Sequence, residues 1–206
     1  MDSAPGALIF DFDGVIADTE PLYWKAWREV LKRFGVPFTW QDYCRIGRGI
    51  RDEKILTCLA EFVGDPGDLL QIQQSLPERE EMVRRSRVDQ PLIANTTVQM
   101  LRSLDGRILG LVTSSNRSDV EPLLQAAGIA GCFDACVFGE ELTDHKPDPA
   151  PYILIREKLG IQDGVVFEDS EAGLLSATSA GFRAIYVASP VELPMLVRNM
   201  LESELA

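Results

Sequence analysis

Histidine is almost missing from this chain of 206 residues, and its few cysteines are unpaired in spacing: there is one histidine, His145, and four cysteines, Cys44, Cys58, Cys132 and Cys136, none in a CxxC pair. That scarcity excludes the ligand spacings of a structural zinc site and the framework of a disulfide-stapled fold, leaving the thiols as inert or buried groups. Basic residues are also outnumbered, 20 lysines and arginines against 32 aspartates and glutamates, for a formal net charge of -12. A molecule with that field repels polyanions, which argues against nucleic acid and anionic membrane as partners. An anionic ligand would need local positive charge or a metal ion. The one basic cluster, Arg84, Arg85 and Arg87, reads as a solvated helix face. Residues Met1 to Gly6 lack the basic stretch and apolar run of a signal peptide. No apolar run approaches a membrane span, so a cytoplasmic protein is expected.

What is present is the patterning of an ordinary globular chain. With 46% hydrophobic and 25% charged residues, it can fill one full core and a smaller satellite. Short apolar runs at Ala7–Phe10, Ile108–Val112, Ala135–Phe138, Val165–Phe167 and Ala184–Val187 predict buried parallel strands. Helical punctuation lies between the later runs. Ser118 with Glu121 makes a capping-box pattern closed by Gly128, Asp148-Pro149 starts a segment that Gly160 stops, and Ser170 and Gly181 bracket a third. This alternation predicts an α/β fold with a doubly wound parallel sheet.

From Thr19 to Val88 the rhythm breaks. Pro21 falls in a first helical turn, and Tyr23, Trp27, Val30, Leu31 and Phe34 recur at helical spacing before Gly35. Ile50 to Val63 and Leu69 to Arg87 predict further helices, separated by Gly64-Asp65-Pro66-Gly67. The expectation is an α/β core of residues 1–18 and 89–206, with an all-helical domain of residues 19–88 inserted into it.

Ligands of open α/β sheets collect beyond the carboxyl ends of the strands, so the residues there matter most. The first strand runs into Asp11-Phe12-Asp13-Gly14, where two carboxylates separated by a one-residue gap can point to the same side of an extended backbone and the glycine lets the chain turn away. The second ends in Thr113-Ser114-Ser115-Asn116, with hydroxyls and N–H groups suited to phosphate oxygens. Lys146-Pro147-Asp148-Pro149 sets a lysine beside a helix start. The fourth strand ends in Glu168-Asp169-Ser170, two acids that repel each other without a cation to share. Singly, a turn, a loop, a solvated lysine and a helix cap account for these elements. Together, in this order, they specify a phosphate and a divalent metal.

The four elements resemble the motifs of the haloacid dehalogenase-like hydrolase superfamily, matched here by DFDG from Asp11, the Thr113 strand end, Lys146 and EDS from Glu168. The helical insertion after the first motif resembles the cap of the first subclass. KPDPAPY and EDSEAG are similar to the branch holding phosphoglycolate phosphatases, sugar-phosphate phosphatases and β-phosphoglucomutase. The resemblance implies a Rossmann-like core and an Mg2+-dependent phosphomonoester hydrolase acting on a small phosphorylated metabolite of sugar-phosphate type. Asp11 would be the covalent nucleophile and Asp13 the acid/base. Thr113, Ser114 and the Gly14 turn would hold phosphate oxygens, and Lys146 would neutralise charge. Asp11, Asp13 and Asp169 would hold the metal, with Glu168 a ligand directly or from the next layer. A dehalogenase has no need of Asp13, and no cap lysine stands out for a phosphonatase, Lys25 reading as a surface residue. Where β-phosphoglucomutases carry a histidine, this chain has Tyr23 or its neighbour Trp24, which leaves phosphomutase as the alternative and a noncatalytic binder as the third reading. In the cap, Tyr23 and Arg51 are the candidate specificity residues, Arg51 otherwise pairing with Asp52 or Glu53. A monomer is expected.

Overall fold

The computed structural model describes residues 6–48, 52–60, 62–63, 65–88 and 91–203. The chain divides into two compact units, Met1–Asp18 with Leu92–Ala206, and Thr19–Pro91. Among the described residues the first unit holds a five-stranded parallel sheet of β1 (Leu8–Phe10), β2 (Leu109–Val112), β3 (Ala135–Val137), β4 (Val165–Glu168) and β5 (Arg183–Tyr186), in the order β3-β2-β1-β4-β5. β1 is central, with Leu8 in register with Leu109 on one side and Val165 on the other. β1, β2 and β4 are buried on both faces, as apolar strands between two helical layers must be. The expected α/β parallel fold is therefore present, each strand within one residue of its expected position.

The helices between these strands are α6 (Asn95–Ser103), α7 (Arg117–Ala126), α8 (Ala150–Leu159) and α9 (Glu171–Ser179), and α10 (Leu193–Ser203) follows the last strand. Ser170 caps α9 as expected, its hydroxyl accepting from Gly173 N–H at 3.0 Å. α8 ends at Gly160 in the left-handed conformation, φ 64°. The Ser118 capping box does not form. α7 begins one residue before it, and the N–H of Arg117 donates to both oxygens of Glu140 at 3.0 and 3.1 Å. An acid from a distant turn has taken the cap, and Glu121 pairs with Arg117 instead.

Thr19–Pro91 is helical: α1 (Glu20–Lys32), α2 (Trp40–Ile46), α3 (Asp52–Leu59), α4 (Pro66–Gln74) and α5 (Leu76–Val88). Its core gathers Trp27, Leu31, Leu59 and Ile72. The sequence predicts one helix over Leu69–Arg87, whereas the structure has two. Pro77, lacking an N–H, cannot continue the ladder, and the chain restarts at Leu76. α2 carries a capping box between Thr39 and Asp42 that sequence analysis passed over. No helix among the described residues is long and apolar enough to cross a membrane.

Candidate active site

The central strand ends in a turn that the sequence forces. Asp11 N–H still donates to Phe167 in β4 at 3.0 Å. The chain then leaves the sheet, with the carbonyl of Phe12 accepting from Ile16 and Ala17, and the Phe12 ring fully buried. Gly14 has φ +75°, and a Cβ there would lie 2.0 Å from Asp169 Oδ2. Glycine is thus needed twice over, for the left-handed turn and for the approach of the Asp169 carboxylate.

Around this turn the structure gathers residues from three other strand ends. Lys146, on the loop before α8, donates from Nζ to Asp11 Oδ1 at 2.6 Å, to Glu168 Oε1 in a shorter contact, and to the carbonyl of Val112 at 3.4 Å. All three side chains are buried, Glu168 completely and Lys146 and Asp11 to within 5% and 8% exposure. Glu168 is further held by the N–H groups of Asp169 and Ser170 at 3.1 and 3.4 Å. Its carboxylate lies against Gly173, where a Cβ would come within 2.0 Å of it.

Asp13 is held on the other side of the turn. Its Oδ2 accepts from the Ser115 hydroxyl at 2.7 Å and from the Thr113 hydroxyl at 3.3 Å, and Thr113 Oγ1 in turn accepts from Ser115 N–H at 3.0 Å. Ser114 lies half-buried between them. Ser115 was not singled out from sequence, although it stood in the same polar quartet.

The electrostatics are unbalanced. Asp11, Glu168 and Asp169 have one ligand oxygen each within 4.8 Å of one another, all buried, and the Lys146 ammonium pairs with the first two. Carboxylates crowded in a desolvated space favour a compensating cation. Burial first, then the neighbouring acids, push the Asp11 carboxyl well above its usual range, against the opposing pull of Lys146. Burial would lower Lys146, but Asp11 and Glu168 overcome it and hold the ammonium above its ordinary value. A buried, hard, oxygen-only donor set is the chemistry of a small divalent cation.

The haloacid dehalogenase-like hydrolase family matches residues 8–187. The chain belongs to that family. As a haloacid dehalogenase-like hydrolase it is an enzyme, and its relatives bear phosphatase and phosphomutase names. It is similar to a phosphorylated carbohydrates phosphatase of Thermotoga maritima, 33% identical over 182 residues, covering 87% of this chain and 83% of that one. It is 35% identical over 188 residues to the fructose-1-phosphate phosphatase YqaB of Escherichia coli, covering 87% and 95%. To the beta-phosphoglucomutase of Bacillus subtilis it is 30% identical over 194 residues, covering 88% and 82%. A solved HAD hydrolase of family IA, variant 3, from Entamoeba histolytica shares the fold with a TM-score of 0.72 at 25% identity, covering 88% and 83%.

Of the cap candidates in this haloacid dehalogenase-like hydrolase, Arg51 lies outside the described residues. Tyr23 is half-buried in α1, where its hydroxyl accepts from Arg87 and the Arg87 and Arg79 guanidinium groups lie 5.7 and 5.9 Å from its ring. Arg84 and Arg85 stand exposed and pair with Glu81, as a solvated face requires. Arg87 departs from that expectation, because Tyr23 draws it onto the apolar side. Lys25 is exposed, the surface lysine expected.

Proposed function

We propose that this haloacid dehalogenase-like hydrolase is an Mg2+-dependent phosphomonoester phosphatase for small sugar phosphates, working through an aspartyl-phosphate on Asp11. The observation that carries the proposal is the division of labour between Asp11 and Asp13. Asp11 is buried and bound to Lys146, while Asp13, two residues on, accepts from the Ser115 and Thr113 hydroxyls. One carboxylate is thereby set up for attack and the other for proton transfer.

Asp11 attacks phosphorus as the bond to the leaving alcohol breaks, and Asp13 gives that alcohol a proton. Asp13, now a base, takes a proton from water, whose oxygen displaces the phosphoryl group from Asp11 and releases phosphate. Thr113 and the N–H groups of Ser114 and of the Asp11–Gly14 turn hold the non-bridging oxygens, and Lys146 neutralises charge beside the nucleophile. Asp11, the Asp13 carbonyl and Asp169, with Glu168 beside them, would hold an Mg2+ ion, whose charge eases the approach of an anionic carboxylate to an anionic phosphate. The sugar-phosphate class is supported by the names of the two phosphatase relatives.

A screen of small phosphomonoesters with and without Mg2+ tests this reading. Free phosphate released only with the metal is the expected result. Isomerised sugar phosphate without phosphate loss would make the chain a phosphomutase, and no conversion would make it a binder. On a phosphatase substrate, Asp13→Asn should lower kcat by about 10²–10⁴-fold. Binding of inorganic phosphate, followed by calorimetry, should persist. An Asp13→Asn protein as fast as the wild type would remove Asp13 from the chemistry.

A further inference from the structure

Tyr152 has no part in the steps above, yet it touches two of the groups that set the charge on Asp11. It is fully buried in α8, and its hydroxyl donates to Glu168 Oε1 at 2.7 Å. Its ring lies under the Lys146 ammonium, with Nζ 5.4 Å from the centroid.

The Glu168 carboxylate is fully engaged by the protein. Oε1 takes the Tyr152 hydroxyl and the Lys146 ammonium. Oε2 takes the N–H groups of Asp169 and Ser170, and the Ser170 hydroxyl at 3.2 Å. Without the phenol hydroxyl, Oε1 would keep Lys146 alone. A buried carboxylate short of a donor draws harder on its remaining cation, and here that cation is the one shared with Asp11.

We propose that Tyr152 is a positioning residue of this enzyme: its hydroxyl satisfies Glu168, so that Lys146 remains shared with Asp11 and the turn bearing Asp169 keeps its aim. The proposal rests on the Mg2+-dependent phosphatase reading. Outer hydrogen-bond partners of metal sites are worth roughly 10–100-fold in metal affinity or activity, so the effect is measurable.

The test is Tyr152→Phe, which keeps the ring and removes only the hydroxyl. Titrating Mg2+ into metal-free protein by calorimetry should give a Kd raised about tenfold. The kcat should fall to a similar degree while KM for the phosphomonoester stays put. Phe182→Leu separates positioning from packing, because its ring meets Tyr152 edge-on at 6.3 Å. It should lower Tm and leave the Mg2+ Kd unchanged. In a Glu168→Gln background, Tyr152→Phe should add little, since both changes act on one hydrogen bond. A wild-type Mg2+ Kd in Tyr152→Phe overturns the proposal, as does an equal weakening in Phe182→Leu or full additivity with Glu168→Gln. A wild-type protein that takes up no Mg2+ overturns the functional reading, and the proposal with it.

Discussion

Asp11→Asn should abolish turnover and, in metal-free buffer, raise thermal stability. Loss of a covalent nucleophile costs on the order of 10⁴-fold or more in kcat, because the two-step route disappears with it. The stability gain has a separate cause. Asp11 sits buried among Glu168 and Asp169 with one lysine between them, and its carboxyl is held well above the usual range chiefly by burial. A carboxyl with a raised folded value contributes stability at pH below its unfolded value and loses it as pH rises through the folded value. Metal-free wild type should therefore weaken relative to Asp11→Asn as pH increases, and the two should converge in acid. A difference of about 1–2 kcal/mol corresponds to roughly 2–8 °C in Tm for a chain of this size. Thermal melts of both proteins from pH 4 to 8 in EDTA decide it. A variant melting below wild type at pH 8 would show that the Lys146 pair outweighs the crowding of acids. Retained steady-state activity would remove Asp11 as nucleophile.

The parts of this site legible in the sequence are those where backbone and chemistry make the same demand. Asp11 and Asp13 could be found because an apolar run ends in a two-residue carboxylate spacing, and Gly14 because only glycine suits the turn that follows. Ser170 could be found because a cap hydroxyl precedes a helix. What escaped were contacts made across the fold. Glu140 caps α7 from a separate turn, which no local pattern announces. Tyr152 lies in a helix where an aromatic residue ordinarily signals core, and its hydroxyl matters only because β4 brings Glu168 to it. Ser115 was visible as a hydroxyl, but its acceptor lies 102 residues away. The split at Pro77 is legible in the sequence itself, since a proline without an N–H breaks the helical ladder that the Leu69–Arg87 reading needs.

Lys146→Met is the harshest single test of the site's electrostatics. Its ammonium bonds Asp11 at 2.6 Å and also Glu168, and both partners are buried. Removing one member of a buried ion pair strands the other, at about 3–5 kcal/mol, whereas replacing the whole cluster by apolar groups can be neutral. The expected loss is roughly 6–20 °C in Tm for metal-free protein. If the cost is the stranded charge, neutralising that charge should return much of it. Lys146→Met with Asp11→Asn should then melt well above the value obtained by adding the two single effects, with a coupling of about 0.5–3 kcal/mol. Saturating Mg2+ should recover part of the loss in Lys146→Met itself, because a cation bound by the same carboxylates stabilises the folded form by mass action. Additive single effects and a metal-insensitive Tm would mean that Lys146 serves the fold through its buried methylenes and not through its charge. Phosphatase activity in Lys146→Met should fall by roughly 10²–10³-fold even in Mg2+, since the charge beside the nucleophile is then gone.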